Sequence, residues 1–438
     1  MPLAYVMVGS GIASLSAAEA IRQRQPDASI TVVSEEPHDF YSRPGLAYFL
    51  RGDIPESQLM VRSRDDLKTL NVKRVHGLVK ELRCDGQELL LSDNRRLRFD
   101  RLLLAAGALA APPTFPGRDL AGVVKLDGLD DTRRILALAK RGKPAVVVGG
   151  GITALELAEG LCARGMKVHY FLRGERYWAD VLDETESKII MDRLKHDGIV
   201  IHTKTQVKQA LGKAGQLAAL ETEAGETVPC TMLAVAIGVR PRVELARQAG
   251  LSVDKGIMVN PRMQTTRQGV FAAGDCAQVG STPLDVLWPT ALAQGKVAGV
   301  NMAGGEVSYE KAVACNVTML AGLRVTIIGN VGPSKKAEAK DRDLVAIARG
   351  DSESWRVLPN AHVLSDSDDV NRVRLFIGPR TIVGALVMGE QSWSRPLQHL
   401  IGQQVDIAPL RDVLIKDAAA GLNQLAEFYE RWQAGKPR

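Results

Sequence analysis

The 438-residue chain is 45% hydrophobic and 24% charged, ordinary globular values that exclude a disordered, collagen-like or coiled-coil description of the whole chain. At roughly 100–200 residues per domain, its length predicts two to four domains. A net charge of +6 is a mild basic excess that attracts acidic partners or simply adds solvated arginines, and with 5% aromatics the chain lacks material for a nucleic-acid stacking platform.

The N-terminus, MPLAYVMVGSGIAS, has no basic stretch ahead of its apolar run. It reads as a mature β-strand rather than a leader, and the expected location is cytoplasmic. Ala4–Val8 is a strand, Gly9–Ser14 a Gly-rich turn, Ala13–Arg24 a helix and Ser29–Val33 a buried parallel strand. Lys73–Asp100 alternates short β-like stretches with turns and reads as antiparallel strands. The apolar run at 102–113 is shorter than the roughly 20 residues a bilayer-spanning helix needs.

The opening pattern returns as a strand at Ala145–Val148, a turn at Gly149–Ala154, a helix at Thr153–Arg164 and a strand at Lys167–Leu172. The separation is too long for a solenoid period and suits two dinucleotide-binding domains. Residues 199–240 repeat the antiparallel texture. Beyond residue 310 there is no further fingerprint. Strands are expected at Arg324–Ile328, Val345–Ala348, Arg372–Ile377 and Thr381–Met388, and loops at Lys335–Arg342 and Leu364–Asp369. Helices are expected at Trp393–Ile401 and Ala408–Trp432.

Five scattered cysteines (Cys84, Cys162, Cys230, Cys276, Cys315) form no CxxC or CxxxxC, and there is no HExxH. No disulfide framework and no metal site are expected. The chemistry sits in the glycine turns. In Gly9-Ser10-Gly11-Ile12-Ala13-Ser14, the first glycine permits the tight turn and the second lets the backbone approach a pyrophosphate. The helix N-terminus then offers free N–H groups and partial positive charge. An acidic pair, Glu35-Glu36, follows the next strand, where a carboxylate binds ribose hydroxyls. A second fingerprint, Gly149-Gly150-Gly151-Ile152-Thr153-Ala154, implies a second dinucleotide or a relic of one. A third signal, Gly269–Asp275, ends an apolar strand in Gly274-Asp275.

Together with LLLAAGA at 102–108 and AVAIGVRP at 234–241, these motifs occur in the order of the FAD-dependent pyridine nucleotide–disulfide oxidoreductase superfamily, which the chain closely resembles. The resemblance spans residues 3 to about 305. It implies an α/β fold with Rossmann-like domains for FAD (1–115 and 242–310) and NAD(P)H (116–241), and a C-terminal α+β interface domain (311–438). It implies that Gly9, Gly11, Ile12, Ala13 and Ser14 hold the FAD pyrophosphate, Glu35 the adenosine ribose, Val79 the adenine and Asp275 the ribityl chain. Arg43 would contact FAD from a loop similar to that of ferredoxin, rubredoxin and nitrite reductase flavoproteins. Ala106, Gly107, Gly274 and the helix starting near Thr290 complete the flavin site. Gly149, Gly151, Ile152, Ala154 and Gly238 would serve the nicotinamide nucleotide, with Glu156 either beside it or a surface glutamate.

Departures from the family pattern carry information. No CxxxxC lies on the first FAD helix, and Pro44 falls where one branch carries a single cysteine, so no thiol relay is expected. Tyr48 replaces a lysine frequent in ferredoxin reductases, and Ile152 replaces an aromatic that often gates the nicotinamide. After the second strand of the second fingerprint comes Leu172-Arg173 rather than an acid, with Arg176 close behind. A guanidinium there chelates a 2′-phosphate, which favours NADPH; as a plain surface residue it leaves NADH or both open. The implied activity is hydride transfer from NAD(P)H to FAD, then electron transfer to a ferredoxin, a rubredoxin or an iron–sulfur subunit. A small organic acceptor or oxygen, or a role as the FAD-bearing subunit of a larger complex, are the alternatives. A homodimer or a complex is expected, without nucleic acid or a membrane span.

Overall fold

The computed structural model describes residues 3–282, 284–331, 362–368 and 370–435. The strand expected at Val345–Ala348 and the loop expected at Lys335–Arg342 lie outside them. Two units divide the chain. The first comprises residues 3–173 and 198–311, and the second residues 174–197 with the described residues from 312 onward.

The first unit contains two five-stranded parallel sheets of matching topology. In one, Ala4–Val8 lies at the centre, with Ser29–Ser34 then Val72–His76 on one side and Arg101–Leu104 then Val270–Ala272 on the other. In the second, Pro144–Val148 is central, flanked by Lys167–Phe171 then Val200–His202, and by Met232–Val235 then Val123–Val124. The runs YVMV, LLL and VVV are buried because helices cover both faces of a parallel sheet. The Rossmann-like architecture expected from the motifs is therefore present twice.

The antiparallel excursions are also present, as two three-stranded sheets. One is formed by Val79–Arg83, Glu88–Leu91 and Arg96–Arg98. The other is formed by Val207–Lys213, Gln216–Thr222 and Thr227–Pro229. Lys73 departs from the expectation: it belongs to the parallel strand Val72–His76, whose single buried residue Val75 faces the core.

Helix Ile12–Arg24 and helix Trp288–Met302 pack at unusually close range. A Cβ at Gly295 would lie 2.2 Å from Ala13 O, and one at Gly299 2.4 Å from Ala17 O. Glycines one turn apart on one helix thus seat on alanines one turn apart on the other. Ser16 Oγ donates to Leu292 O at 2.8 Å across the same seam. This brings the two helix N-termini together.

In the second unit, five antiparallel strands run in the order Cys315–Leu320, Leu323–Gly329, Ile382–Met388, Asn371–Ile377, His362–Asp368. The loop expected at Leu364–Asp369 is instead strand up to Asp368; Ser365, Asp366 and Ser367 stand opposite Arg374, Val373 and Arg372 in the register. The single helix expected over Ala408–Trp432 is broken into Ala408–Leu410, Arg411–Lys416 and Ala418–Ala434. Asp417 makes the break, leaving the helical conformation and accepting from Ala420 N at 3.0 Å as an N-cap.

Helix Glu184–His196 belongs to this unit and begins with a capping box between Asp183 and Glu186. Both acids also meet arginines of the sheet. Arg374 donates to both Glu186 oxygens at 3.0 and 2.9 Å, and Arg372 to Asp183 Oδ2 at 3.0 Å. Glu186 is fully buried, and that burial drives its pKa up while Arg374 pulls it down. Replacing Arg374 by Ala removes the bidentate cation from a buried carboxylate that keeps only the Asp183 N–H and the more distant Arg372, and is expected to cost about 3–5 kcal/mol in a chemical-denaturation titration. The pair Arg374→Leu with Glu186→Leu should recover most of that loss; if the double variant is no better than the single one, the ion pair is not what anchors the helix.

Candidate functional site

The two fingerprint turns are built alike. Gly9 has φ +107°, donates its N–H to Val33 O at 2.8 Å, and sits where a Cβ would lie 2.2 Å from Ala105 O. Gly149 has φ +146°, donates to Phe171 O at 3.3 Å, and a Cβ there would lie 2.1 Å from Ala236 O. Each turn is thereby pressed against the end of the neighbouring strand, and no other residue type fits. The second glycines behave differently. Gly11 and Gly151 are N-caps in extended conformation whose helices have no side-chain cap. Space is open where a Cβ at Gly11 would stand. Exposed helix N–H donors with open space in front of them are what a pyrophosphate requires.

Around the first turn the expected flavin residues converge. Gly274 lies against Ala13, a Cβ on it coming within 3.2 Å of Ala13 Cβ and 3.6 Å of Ala291 Cβ. Its N–H donates to Gln294 Oε1 at 2.9 Å, and Ala273 N donates to Leu104 O at 3.1 Å. Gly274 thus sits between helix Ile12–Arg24 and the first turn of helix Trp288–Met302, and Asp275 beside it is half-buried. Thr290 lies in that first turn, bonded to the Tyr309 hydroxyl. Ser14 Oγ, fully buried on the fingerprint helix, has no partner among the described residues. Such an orphan in a Gly-lined crevice fits a ligand oxygen. Val79 opens the first antiparallel excursion and packs on the same core.

The acidic pair divides its work. Glu36 accepts from Arg43 Nη2 at 2.7 Å and from the Tyr41 hydroxyl at 2.9 Å. Arg43 also donates to Asp127 O at 2.8 Å and its guanidinium lies 5.2 Å from the Tyr41 ring centroid. Burial raises the Tyr41 pKa, so its hydroxyl stays a donor. Glu35 is more exposed; one oxygen pairs with Arg242 and the other has no partner among the described residues. Glu35, rather than Glu36, thus retains an acceptor for a ribose hydroxyl. Sequence reasoning missed Arg242, Gln294 and Tyr309. Only Arg242 left a trace, as the charge ending VRPR, and its partner is 207 residues away.

Around the second turn, Ile152, Ala154 and Ala158 are buried, and Glu156 is half-buried one turn into helix Ile152–Ala163. That helix packs on helix Gly45–Arg51, with Arg164 donating to Leu50 O and Phe49 O at 2.7 and 2.9 Å. Ala111 N bonds Gly238 O, and Val239–Pro241 pairs with Ala108–Ala110. Arg173 is exposed after strand Lys167–Phe171. Arg176, in the second unit, directs its donors to Leu182 O, Ser187 Oγ and Ala179 O, and is not brought to Arg173's task.

Burial disfavours the thiolate at four of the five cysteines. Pro44 is the N-cap of helix Gly45–Arg51. Cys276, beside the flavin crevice, is fully buried, donates to Leu104 O and Ala273 O, and burial pushes its thiol up to about 11. Burial pushes Cys230 up to about 12 and raises Cys84 and Cys315 as well. All five are free. No cluster of three or more metal-ligating side chains occurs among the described residues, and no described helix is long and apolar enough to cross a membrane.

Two dinucleotide crevices in one unit, without a redox disulfide, define an FAD-dependent NAD(P)H oxidoreductase. Residues 3–295 match the model of the pyridine nucleotide-disulphide oxidoreductase family, and the chain belongs to that family. It is 29% identical over 405 residues to an NADH oxidase of Methanocaldococcus jannaschii, covering 88% of this chain and 87% of that one. It is 28% identical over 423 residues to the NADH-dependent phenylglyoxylate dehydrogenase subunit epsilon of Aromatoleum evansii, covering 95% of each. Its fold is similar to that in a covalent putidaredoxin reductase–putidaredoxin complex, with a TM-score of 0.83 at 21% identity over 98% of this chain and 99% of that one.

Replacing Gly9 by Ala should abolish FAD retention, because the added Cβ collides with the Ala105 carbonyl. Asp275→Ala should weaken FAD by about 1–3 kcal/mol, because a ribityl hydroxyl enclosed on binding loses its acceptor. Flavin fluorescence after gel filtration checks both; a yellow Gly9→Ala protein with unchanged FAD content would contradict the close-approach account.

Proposed function

We propose that the chain oxidises NADPH or NADH and delivers the electrons to a separate carrier, a ferredoxin, a rubredoxin or an iron–sulfur subunit, with no cysteine in the route. The carrying observation is that Pro44 stands in the thiol position while the cysteine beside the crevice is buried and protonated. FAD, when bound, supplies the conversion of a two-electron hydride into single electrons. One hydride carries two electrons, so two one-electron carriers are reduced and one proton is released per nicotinamide oxidised.

The chain's own residues hold and align the two nucleotides. We assign residues 1–115 and 242–310 to FAD and 116–241 to the nicotinamide nucleotide, with Gly9, Gly11, Ser14, Glu35 and Asp275 holding the first, and Gly149, Gly151 and Arg173 the second. Val79 is assigned to the adenine, and Ile152, Ala154 and Gly238 to the nicotinamide side. Arg43 is assigned to FAD from the loop that carries Pro44, its guanidinium held by Glu36. Residues 311–438 are the interface region of a homodimer or a larger complex.

A second reading, that the chain is the FAD-bearing subunit of a multisubunit dehydrogenase, is favoured by its end-to-end match to a subunit of that kind. Both readings share the carrier step. They separate on whether the isolated chain reduces an added ferredoxin or rubredoxin as well as an artificial dye. Oxygen or a small organic molecule as acceptor is the outcome if neither carrier competes with air.

A variant with all five cysteines replaced by Ser or Ala should keep its NAD(P)H-driven carrier reduction within about twofold. Raised ionic strength should slow the reaction with an acidic carrier, because the basic balance steers it. Loss of turnover with FAD retained would restore a thiol mechanism. For the nucleotide, Arg173→Glu places a carboxylate where the 2′-phosphate would bind. It should lower the NADPH/NADH ratio of kcat/KM about tenfold or more; an unchanged ratio would remove Arg173 from the site.

A further inference from the structure

Arg242 follows the short strand Val239–Pro241, and two of its groups are fixed. Its backbone N–H donates to Gly107 O at 2.9 Å, and its Nη1 pairs with Glu35 Oε1. Gly107 ends the segment that borders the flavin crevice, and Glu35 is the acid whose second oxygen is available. Arg242 therefore joins the two flanks of the adenosine end of that crevice. Its third group is unexplained: Nε is inaccessible to solvent and has no acceptor among the described residues. A guanidinium N–H removed from water without an acceptor is strongly disfavoured, and native proteins rarely leave one so. At Gly107, whose carbonyl holds the Arg242 backbone, the space where a Cβ would stand is open, with no atom within 4 Å.

We propose that Arg242 is a further FAD-binding residue, its Nε donating to an oxygen of the cofactor's adenosine half, a ribose hydroxyl or a phosphate, while its Nη1 orients Glu35 toward the same ribose. The inference rests on the reading of the first crevice as the FAD site. Because the guanidinium is planar and its Nε–H and Nη1 donors lie on different edges, one side chain serves two separate acceptors at once in fixed directions, which a lysine ammonium does not. The residue closes the strand that returns the chain from the second sheet, so binding of FAD also fixes that return.

The test is FAD titration of apo-protein by fluorescence quenching, for the full-length chain and the variants Arg242→Lys, Arg242→Gln, Glu35→Ala and Glu35→Ala with Arg242→Gln. Apo-protein melting curves confirm that each variant folds. Arg242→Gln should raise the FAD Kd roughly tenfold to a hundredfold, and Arg242→Lys should lose most of the same affinity despite its charge. The combined variant should bind at least about fivefold more weakly than Glu35→Ala alone, since Arg242 contacts FAD itself. If Arg242→Gln adds nothing once Glu35 is gone, the arginine only positions Glu35 and the proposal fails. If Arg242→Lys binds like the wild type, the Nε contact is likewise overturned. A wild-type chain that takes up no FAD would sink the reading of the crevice, and the proposal with it.

Discussion

Both nucleotide crevices depend on one steric constraint, a strand-end carbonyl placed against a turn glycine. Ala105 O does this to Gly9 and Ala236 O to Gly149, each at a distance that leaves no room for a Cβ. The surrounding hydrogen bonds repeat too. Ala105 N donates to Val8 O and Ala236 N to Val148 O, both at 2.9 Å. In each sheet the central strand thus has its neighbours' ends locked on either side, and the fingerprint helix must leave at a fixed angle. That angle aims the uncapped N–H groups at the crevice outside the strand ends, where open parallel sheets bind ligands.

The flavin crevice adds a second layer of constraint. Gly295 and Gly299 let helix Trp288–Met302 lie directly on the backbone of helix Ile12–Arg24, so the N-terminal halves of the two helices pack together. Partial positive charge from the later helix favours an electron-rich flavin. Pro44 caps its helix, and the buried Cys276 sulfur donates to two backbone carbonyls. The chemistry is left to the two cofactors and whatever acceptor docks beside them.

The strands and turns were legible because local pattern decides them. β-branched runs between glycine turns, as in SITVV and AVVV, have no alternative to a buried parallel strand. The acid pair was only half legible: Glu35 and Glu36 look alike in sequence, and the choice between them depends on Tyr41, Arg43 and Arg242, which reach them through space. Arg176 shows the converse. Its spacing suited a phosphate site, but Leu182, Ala179 and Ser187 take its donors. The 408–432 region has a continuous helical pattern, and the competing local preference of Asp417 for capping broke it. The assignment of 174–197 to the second unit rests on Glu186 and Arg374, residues 188 apart whose pairing no periodicity announces.

The central claim is that electrons pass from nicotinamide to flavin to an external acceptor with no protein thiol as a station. Anaerobic titration of the holoprotein with dithionite, followed by flavin absorbance, tests it most directly. The account predicts complete reduction at two electrons per FAD, with no long-wavelength thiolate–flavin band at any stage. Uptake of four electrons per FAD, or the appearance of that band, would contradict it.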